Sequence, residues 1–291
     1  MKYSKLILFI ISIIIVQSCA VTKLADEGQV AYEAKNYEAA LTSWDQLIES
    51  LESKGKKAKG PIYYQSGVSA LELNQTEKAQ KYLESAKEVG YSSPEMYATL
   101  AKIYKTIDNL SKEITALEIY REKYPQDDDI NNISARLLET YAESENWDLG
   151  VNLWAELEEQ TQSDVRLLAS YLVINKNLNN TTLSNKLAKQ IIKLDAKNTT
   201  ALEYYAEYYF WKAENLYVKE MNAYKKKKTS SQYKKLLKAL DQVWPNFSKS
   251  REYYLKLYKI EPKKEYAKYL GNIYTRYDNK KKAAYYYKRA N

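Results

Sequence analysis

Apolar and small residues recur along most of this chain at spacings of three and four, which places them on one face of a helix. Residues that break helices are rare, since the 291 residues include only seven Gly and five Pro. Proteins rich in strands need more turn residues than this. The pattern therefore predicts an all-α fold.

One spacing occurs three times and predicts how the helices pair. A glycine is followed twelve residues later by an alanine, and four residues after that by a large side chain. The small pairs are Gly28 with Ala40, Gly67 with Ala79, and Gly271 with Ala283. Small residues let two antiparallel helices approach closely, and the large residue one turn later fills the space beside the contact. We expect these six residues to be packing residues.

This spacing resembles the tetratricopeptide repeat (TPR), a helix–turn–helix of about 34 residues. Weaker copies are anchored at positions 101, 138 and 172, so the first five anchors step by 39, 34, 37 and 34 residues. In the copy at 101, Glu113 stands where a small residue is expected, which predicts a local gap or shift. The resemblance implies a TPR-like helical-hairpin solenoid that binds a peptide in a concave groove.

The segment from 197 to 262 lacks this spacing. Residues 200–228 carry an unbroken helical pattern, and Thr229, Ser230 or Ser231 can cap a second helix. Pro245 is expected to kink or restart that helix before Pro262. At 1.5 Å per residue the first arm would be about 40 Å long. We predict an elongated, Lys/Tyr-rich C-terminal helical hairpin; the alternative is two ordinary repeats that have lost their anchors.

The first eighteen residues have the zones of a signal peptide. Lys2 and Lys5 precede an apolar run at 6–16 that is too short to span a bilayer. An ordinary secretory signal or a buried helix would share these features, but the segment "VQSC" that follows resembles the bacterial lipobox and contains the only cysteine, Cys19. The resemblance implies cleavage before Cys19 and a covalent diacylglycerol with an added acyl chain such as palmitate. Two or more acyl chains hold a protein on a membrane stably. No acid directly follows Cys19, which resembles the outer-membrane default of Gram-negative lipoproteins and implies the outer membrane rather than the inner.

Composition narrows the possible chemistry. The chain has no His and one Cys, which removes the commonest general base, the commonest zinc ligand and any internal disulfide. No Gly-rich phosphate loop is present. We therefore assign no catalytic residue, no metal site and no cofactor apart from the lipid on Cys19. Export also argues against a nucleic-acid partner, although the last helix interleaves Tyr with Lys and Arg.

Charge divides the chain unevenly. Residues 19–196 hold 20 basic and 28 acidic side chains, and residues 197–291 hold 23 basic and 9 acidic ones. The basic run predicts a contact site for an anionic partner (lipid headgroups, lipopolysaccharide or an acidic protein face) at Lys225, Lys226, Lys227, Lys228, Lys234 and Lys235. The alternative is a solvated loop without a partner. Carboxylate-binding TPR proteins carry Lys and Asn on their first helices, and by that resemblance we add Lys268, Asn272 and Arg276 as candidate partner contacts.

These observations predict five segments. They are a lipoprotein signal peptide (1–18), a lipidated tether (19–23), net acidic TPR-like repeats (24–196), an elongated basic hairpin (197–262) and a C-terminal TPR-like hairpin (263–291). The expected function is a non-catalytic lipoprotein of the bacterial cell envelope that acts as a scaffold or assembly factor for envelope proteins or their peptide segments. The alternatives are a glycan-binding outer-membrane lipoprotein and, third, a lytic enzyme without His.

Overall fold

A computed structural model describes residues 22–291, and within that range the predicted all-α fold is confirmed, with no strand. Cys19 and the predicted signal peptide lie outside the described residues. The first helix, α1, covers residues 22–33. The others are α2 (Tyr37–Glu52), α3 (Gly60–Glu72), α4 (Thr76–Glu88), α5 (Pro94–Thr106), α6 (Leu110–Lys123), α7 (Ile130–Glu143), α8 (Trp147–Glu156), α9 (Glu159–Gln162), α10 (Val165–Asn177), α11 (Thr181–Leu194), α12 (Thr199–Lys226), α13 (Ser230–Ile260), α14 (Lys264–Arg276) and α15 (Lys280–Ala290).

Consecutive helices pair as antiparallel hairpins, and six of the connecting turns are built alike. Each turn holds one residue other than glycine with a positive φ of 53–62°, and each such residue lies seven positions after a predicted anchor. They are Lys35, Asn74, Asp108, Glu145, Asn179 and Asp278. A left-handed residue at this place lets the next backbone N–H reach a carbonyl of the preceding helix. In the last hairpin, for example, the Asn279 N–H donates to the Tyr274 carbonyl at 2.9 Å.

The residue after each left-handed position starts the second helix. It is Asn in five of the six hairpins, and Asn36, Asn109, Asn180 and Asn279 each accept a backbone N–H three residues on through the side chain. Asparagine suits this place because its short side chain satisfies an N–H that has no partner within the helix. The turns therefore mark the repeat register independently of the small residues.

The predicted small residues lie where the two helices of a hairpin meet. A Cβ added to Gly67 would stand 2.7 Å from Leu83 Cγ and 3.2 Å from the Ala79 carbonyl oxygen, and one added to Gly271 would stand 2.6 Å from Tyr287 Cε1. Gly28 lies in the same way beneath the indole ring of Trp44. The large residue one turn after each alanine therefore covers the glycine, and Ala40, Ala79 and Ala283 are themselves buried.

The gap or shift expected at Glu113 does not occur, so that prediction was wrong. The Glu113 N–H donates to the Asn109 carbonyl, as the N–H of Ala283 donates to Asn279 in the last hairpin. Glu113 is only 2% exposed. Its carboxylate accepts two hydrogen bonds from Arg136 of α7, with Nε to Oε1 at 2.6 Å and Nη2 to Oε2 at 3.1 Å. A paired charge therefore fills the place of the small residue without a change of register.

The elongated hairpin consists of α12, with 28 residues, and α13, with 31. The sequence predicted either a kink or a restart at Pro245; α13 runs past it without ending, so the helix does not restart there. A proline inside a helix costs about 3 kcal/mol. Val243 and Phe247, on either side of it, are both fully buried, and burying one such side chain stabilises by about 1.5–3 kcal/mol. Packing on both sides therefore keeps the helix continuous.

The chain divides into two compact units between Leu137 and Leu138, inside α7. In the first unit, α1 and α2 pack around Ala40, Trp44 and Leu47. In the second unit, α12, α13 and α14 share a core that includes Phe210, Phe247 and Tyr254. This second core holds the helices that carry the candidate site.

Candidate functional site

Two clefts of the second unit meet at one side chain, Trp211 of α12. The first, of about 230 Å³, lies between α12 and the hairpin of α10 and α11, and the second, of about 310 Å³, lies between α12 and α14. The first is lined by Lys176, Asn179, Thr181, Ser184, Tyr204, Glu207, Tyr208 and Trp211. The second is lined by Phe210, Trp211, Glu214, Glu265, Lys268, Tyr269 and Asn272. We call the two together the Trp211 groove.

The exposure of Trp211 follows from its position on α12. Phe210 is turned into the core and is 4% exposed, and the next residue lies about 100° around the helix, so Trp211 is 48% exposed. The other four tryptophans pack more closely; Trp44 is buried, and Trp154 stacks on Tyr171 with ring centroids 4.1 Å apart. Trp211 therefore presents an aromatic face to solvent between two depressions.

Ion pairs define the walls of the groove. Lys176 and Glu207 lie 2.6 Å apart across the first cleft. Beside the second cleft, the Arg276 guanidinium donates two hydrogen bonds to Glu214, one of 2.8 Å from Nε, and lies 4.6 Å from the Tyr217 ring centre. The hydrogen bonds that Arg276 donates to Glu214 raise the pKa of Arg276 above its already high usual value. These charges hold the side chains of the walls in place.

The three contacts predicted on α14 have different environments. Lys268 and Asn272 lie one turn apart and both line the second cleft. Lys268 is exposed and forms no ion pair within the described part of the chain. Asn272 accepts a hydrogen bond from the Tyr287 hydroxyl at 2.9 Å, while Arg276 is occupied by Glu214. The structure thus brings Lys268 and Asn272 together in the groove, whereas Arg276 lies beside it and binds the wall residue Glu214.

Sequence reasoning did not select Trp211 itself, although a signal was present. The buried positions of α12 near it are Ala206, Phe210 and Ala213. Trp211 is out of phase with that stripe. A large aromatic residue outside the main buried stripe of a helix indicates a binding surface. Tyr208, which lines the same cleft, is also out of phase.

Burial moves the pKa of the Tyr204 phenol in the first cleft further above physiological pH. Desolvation, reinforced by the neighbouring Tyr208, raises the pKa of Tyr204 to about 12. This phenol therefore stays neutral at physiological pH and can donate a hydrogen bond, as it does to the Thr181 carbonyl.

The predicted basic contact site lies at the far end of the long hairpin. Lys225 is fourteen residues from Trp211, about 21 Å along α12. All six lysines of this site are exposed. Tyr224 and Tyr233 pack against each other across the turn, with ring centroids 5.6 Å apart. The groove and the basic end are therefore two separate surfaces of the second unit.

Among residues 22–291, no helix combines the length and the apolar character that crossing a bilayer requires. No cluster of three or more His, Cys, Asp or Glu side chains in the same range is arranged to hold a metal ion.

No protein-family model and no curated protein matches this chain. It is similar to several solved structures. One is YrrB, "a TPR protein with an unusual peptide-binding site", at 15% identity over 63% of this chain and 96% of that one, with a TM-score of 0.48. Another is the C-terminal part of a TPR repeat-containing protein from Cytophaga hutchinsonii, at 15% identity over 90% and 92%, with a TM-score of 0.45. A third is described as "a putative protein binding protein from Bacteroides ovatus", at 19% identity over 80% and 100%, with a TM-score of 0.47.

At these identities and TM-scores the likeness identifies no equivalent residues. The repeated turn, the covered glycines and the sequence of hairpins are properties of this chain itself. On those grounds it is an all-helical protein of TPR-like hairpins with one elongated hairpin.

Proposed function

We propose that this protein is a non-catalytic, membrane-anchored scaffold of the bacterial cell envelope that binds a peptide segment of another envelope protein in the Trp211 groove. The single observation that carries the proposal is the exposed Trp211 ring between two clefts. Binding sites combine apolar surface with a few fixed polar groups. The groove offers the tryptophan face, the exposed cation of Lys268 and the acids Glu207 and Glu265.

Trp211 has enough exposed surface to act as an anchor. A buried tryptophan covers up to about 250 Å², so the exposed 48% corresponds to roughly 120 Å². At about 25 cal/mol per Å², covering that area contributes about 3 kcal/mol, or roughly a hundredfold in affinity. Aromatic residues that bury this much surface area on binding are the usual hot spots of interfaces.

The membrane attachment in this proposal comes from the sequence, through the lipobox-like segment that ends at Cys19. Acylation there would keep the groove within reach of envelope proteins. It would also attach a non-protein group to the chain, the covalent lipid.

Site-directed photocrosslinking in the native host tests the binding proposal. A photoreactive amino acid at Trp211 and, separately, at Lys268 should capture the same envelope protein. The control position is Leu194, which is 58% exposed at the end of α11 and lines neither cleft of the groove. The captured segment, made as a peptide, should bind Trp211→Ala roughly 30- to 100-fold more weakly than wild type, and Leu194→Ala equally well.

Two results would refute the proposal. One is equal capture at Leu194 and at the groove positions, and the other is equal peptide binding by wild type and Trp211→Ala.

The glycan-binding alternative would also use Trp211, because sugars stack on exposed tryptophan rings. A glycan array probed with wild type and Trp211→Ala separates the two, since only a glycan receptor would give signals that the substitution abolishes.

A further inference from the structure

The end of the long hairpin has an unusually uniform charge. Residues 221–240 contain seven lysines and no Asp or Glu. They are Lys225, Lys226, Lys227, Lys228, Lys234, Lys235 and Lys238. The turn between the helices covers residues 227–229, so at 1.5 Å per residue all seven lie within about 15 Å of it along the helix axes. We call residues 221–240 the basic tip.

These lysines are not neutralised within the described part of the chain. All seven are exposed, and none takes part in an ion pair there. Elsewhere, lysines do find acids: Lys112 lies 2.7 Å from Glu84, and Lys176 lies 2.6 Å from Glu207. Cations near a helix C-terminus are favourable, which explains part of the run at the end of α12. It does not explain Lys234, Lys235 and Lys238, which lie in the second and third turns of α13, beyond the reach of a helix C-terminus.

Apolar side chains stand among the lysines. Tyr233 is 47% exposed and Leu237, one turn further on α13, is 44% exposed. Lys234 and Lys238 follow them directly in the sequence. An aromatic and an aliphatic side chain flanked by lysines is the combination found at membrane interfaces, where the apolar groups enter the acyl boundary and the ammonium groups stay with the phosphates. A purely acidic protein face would match the lysines and leave Tyr233 and Leu237 unused.

We propose that the basic tip docks on an anionic phospholipid surface, with Tyr233 and Leu237 entering the interface. The packed pair of Tyr224 and Tyr233 braces the two helices at this end, so the lysines are presented together on a stiff support. The tip would be a second attachment point, independent of any lipid on Cys19 and of the Trp211 groove. Two attachment points would orient the body of the protein on the membrane.

Vesicle flotation tests this with the chain from Ala20, which lacks the signal segment and Cys19. All described helices lie within residues 22–291 and pack on neighbours in that range, so this chain contains the whole described fold. The probes are vesicles containing phosphatidylglycerol and vesicles of pure phosphatidylcholine. Wild type should float only with the first, and its binding should fall as salt rises from about 0.1 M to about 1 M, because the Debye length shrinks from about 10 Å to about 3 Å.

Two variants that lose the same number of positive charges show which part of the chain binds the anionic vesicles. In the tip variant, Lys225, Lys226, Lys227 and Lys228 become Gln; in the control variant, Lys280, Lys281, Lys282 and Lys288 of α15 become Gln. One lysine near an anionic surface is worth about fivefold in partitioning. Even if only two of the four lysines touch the surface, the tip variant should lose about 30-fold in binding, and the control variant should bind nearly as wild type. Circular dichroism should show equal helix content in all three proteins.

A fluorescent label measures the depth of the apolar residues. Cys19 is the only cysteine, so the chain from Ala20 has none, and Tyr233→Cys introduces a unique site for a polarity-sensitive dye. Its emission should shift to the blue on anionic vesicles, while a dye at the exposed Tyr285 of α15 should not respond.

Three outcomes would overturn the proposal. The first is equal loss of binding in the tip and control variants, which would assign the attraction to net charge. The second is equal flotation with both kinds of vesicle. The third is no binding by wild type, which would leave an acidic protein as the occupant of the tip.

Discussion

Replacing Arg136 should show how much stability the hairpin of α5 and α6 loses when the buried charge of Glu113, which stands where a small residue is expected, has no partner. The Glu113 carboxylate is buried, and both of its hydrogen bonds come from the Arg136 guanidinium. In Arg136→Met that carboxylate loses both donors while its burial is unchanged. Breaking a buried ion pair in this way costs about 3–5 kcal/mol. We expect Arg136→Met to destabilise the first unit by that amount.

The double variant Glu113→Ala/Arg136→Met should recover most of the loss. Replacing a buried ion pair by apolar residues is often neutral or stabilising, and alanine is what Ala40, Ala79 and Ala283 supply at this place in other hairpins. We expect the double variant to lie within about 1 kcal/mol of wild type, since the new contact matches those hairpins. Glu113→Gln/Arg136→Met keeps the shape of the side chain and removes its charge, so it separates charge from volume.

Hydrogen exchange on the backbone amides of α5 and α6 is the appropriate measurement. The chain has two compact units, and one global midpoint would mix them. Local exchange reports the opening free energy of the affected hairpin. If the double variant is as unstable as Arg136→Met, the buried unpaired charge is not the cause and the reasoning fails. If these amides exchange equally in Arg136→Met and wild type, the pair of Glu113 and Arg136 contributes nothing to the stability of the hairpin.

Three further predictions concern other parts of the chain. Cys19→Ala should abolish labelling by a clickable fatty acid and release the protein from membranes; persistent labelling would contradict lipidation at Cys19. Ala79→Leu and Ala283→Leu should each overpack a hairpin and lower its stability by about 1–3 kcal/mol, measured by urea unfolding; unchanged midpoints in both would argue against the packing register. Burial alone would raise the pKa of Glu84, but hydrogen bonds from Lys112, Tyr104 and Gln80 outweigh it and lower that pKa. Its stabilisation should therefore be present above the unfolded pKa of about 4.3 and be lost as pH falls through the folded value, and Lys112→Met should weaken this dependence in acid unfolding curves.

The repeat register could be predicted from the sequence because its determinants are local. The anchors at 28, 67, 101, 138, 172 and 271 came from the spacing of small and large residues, and each left-handed turn residue lies seven positions after one of them. A hairpin of two short helices depends on its own turn and on its own contact residues, so a window of about 34 residues contains most of the information. The long hairpin could also be predicted from the sequence, because residues 200–228 contain no helix breaker.

The features that depend on distant partners could not be predicted in this way. Glu113 is tolerated because Arg136, 23 residues away, reaches it, and Arg276 is occupied because Glu214, 62 residues away, lies beside it. The helix α13 continues through Pro245 because α12 and α14 bury the residues on either side of it. Trp211 becomes a groove residue only when α10, α11 and α14 form clefts around α12. Periodicity along the chain specifies which face of each helix is buried, whereas the partner of a charge and the shape of a cleft depend on which helices tertiary packing brings together.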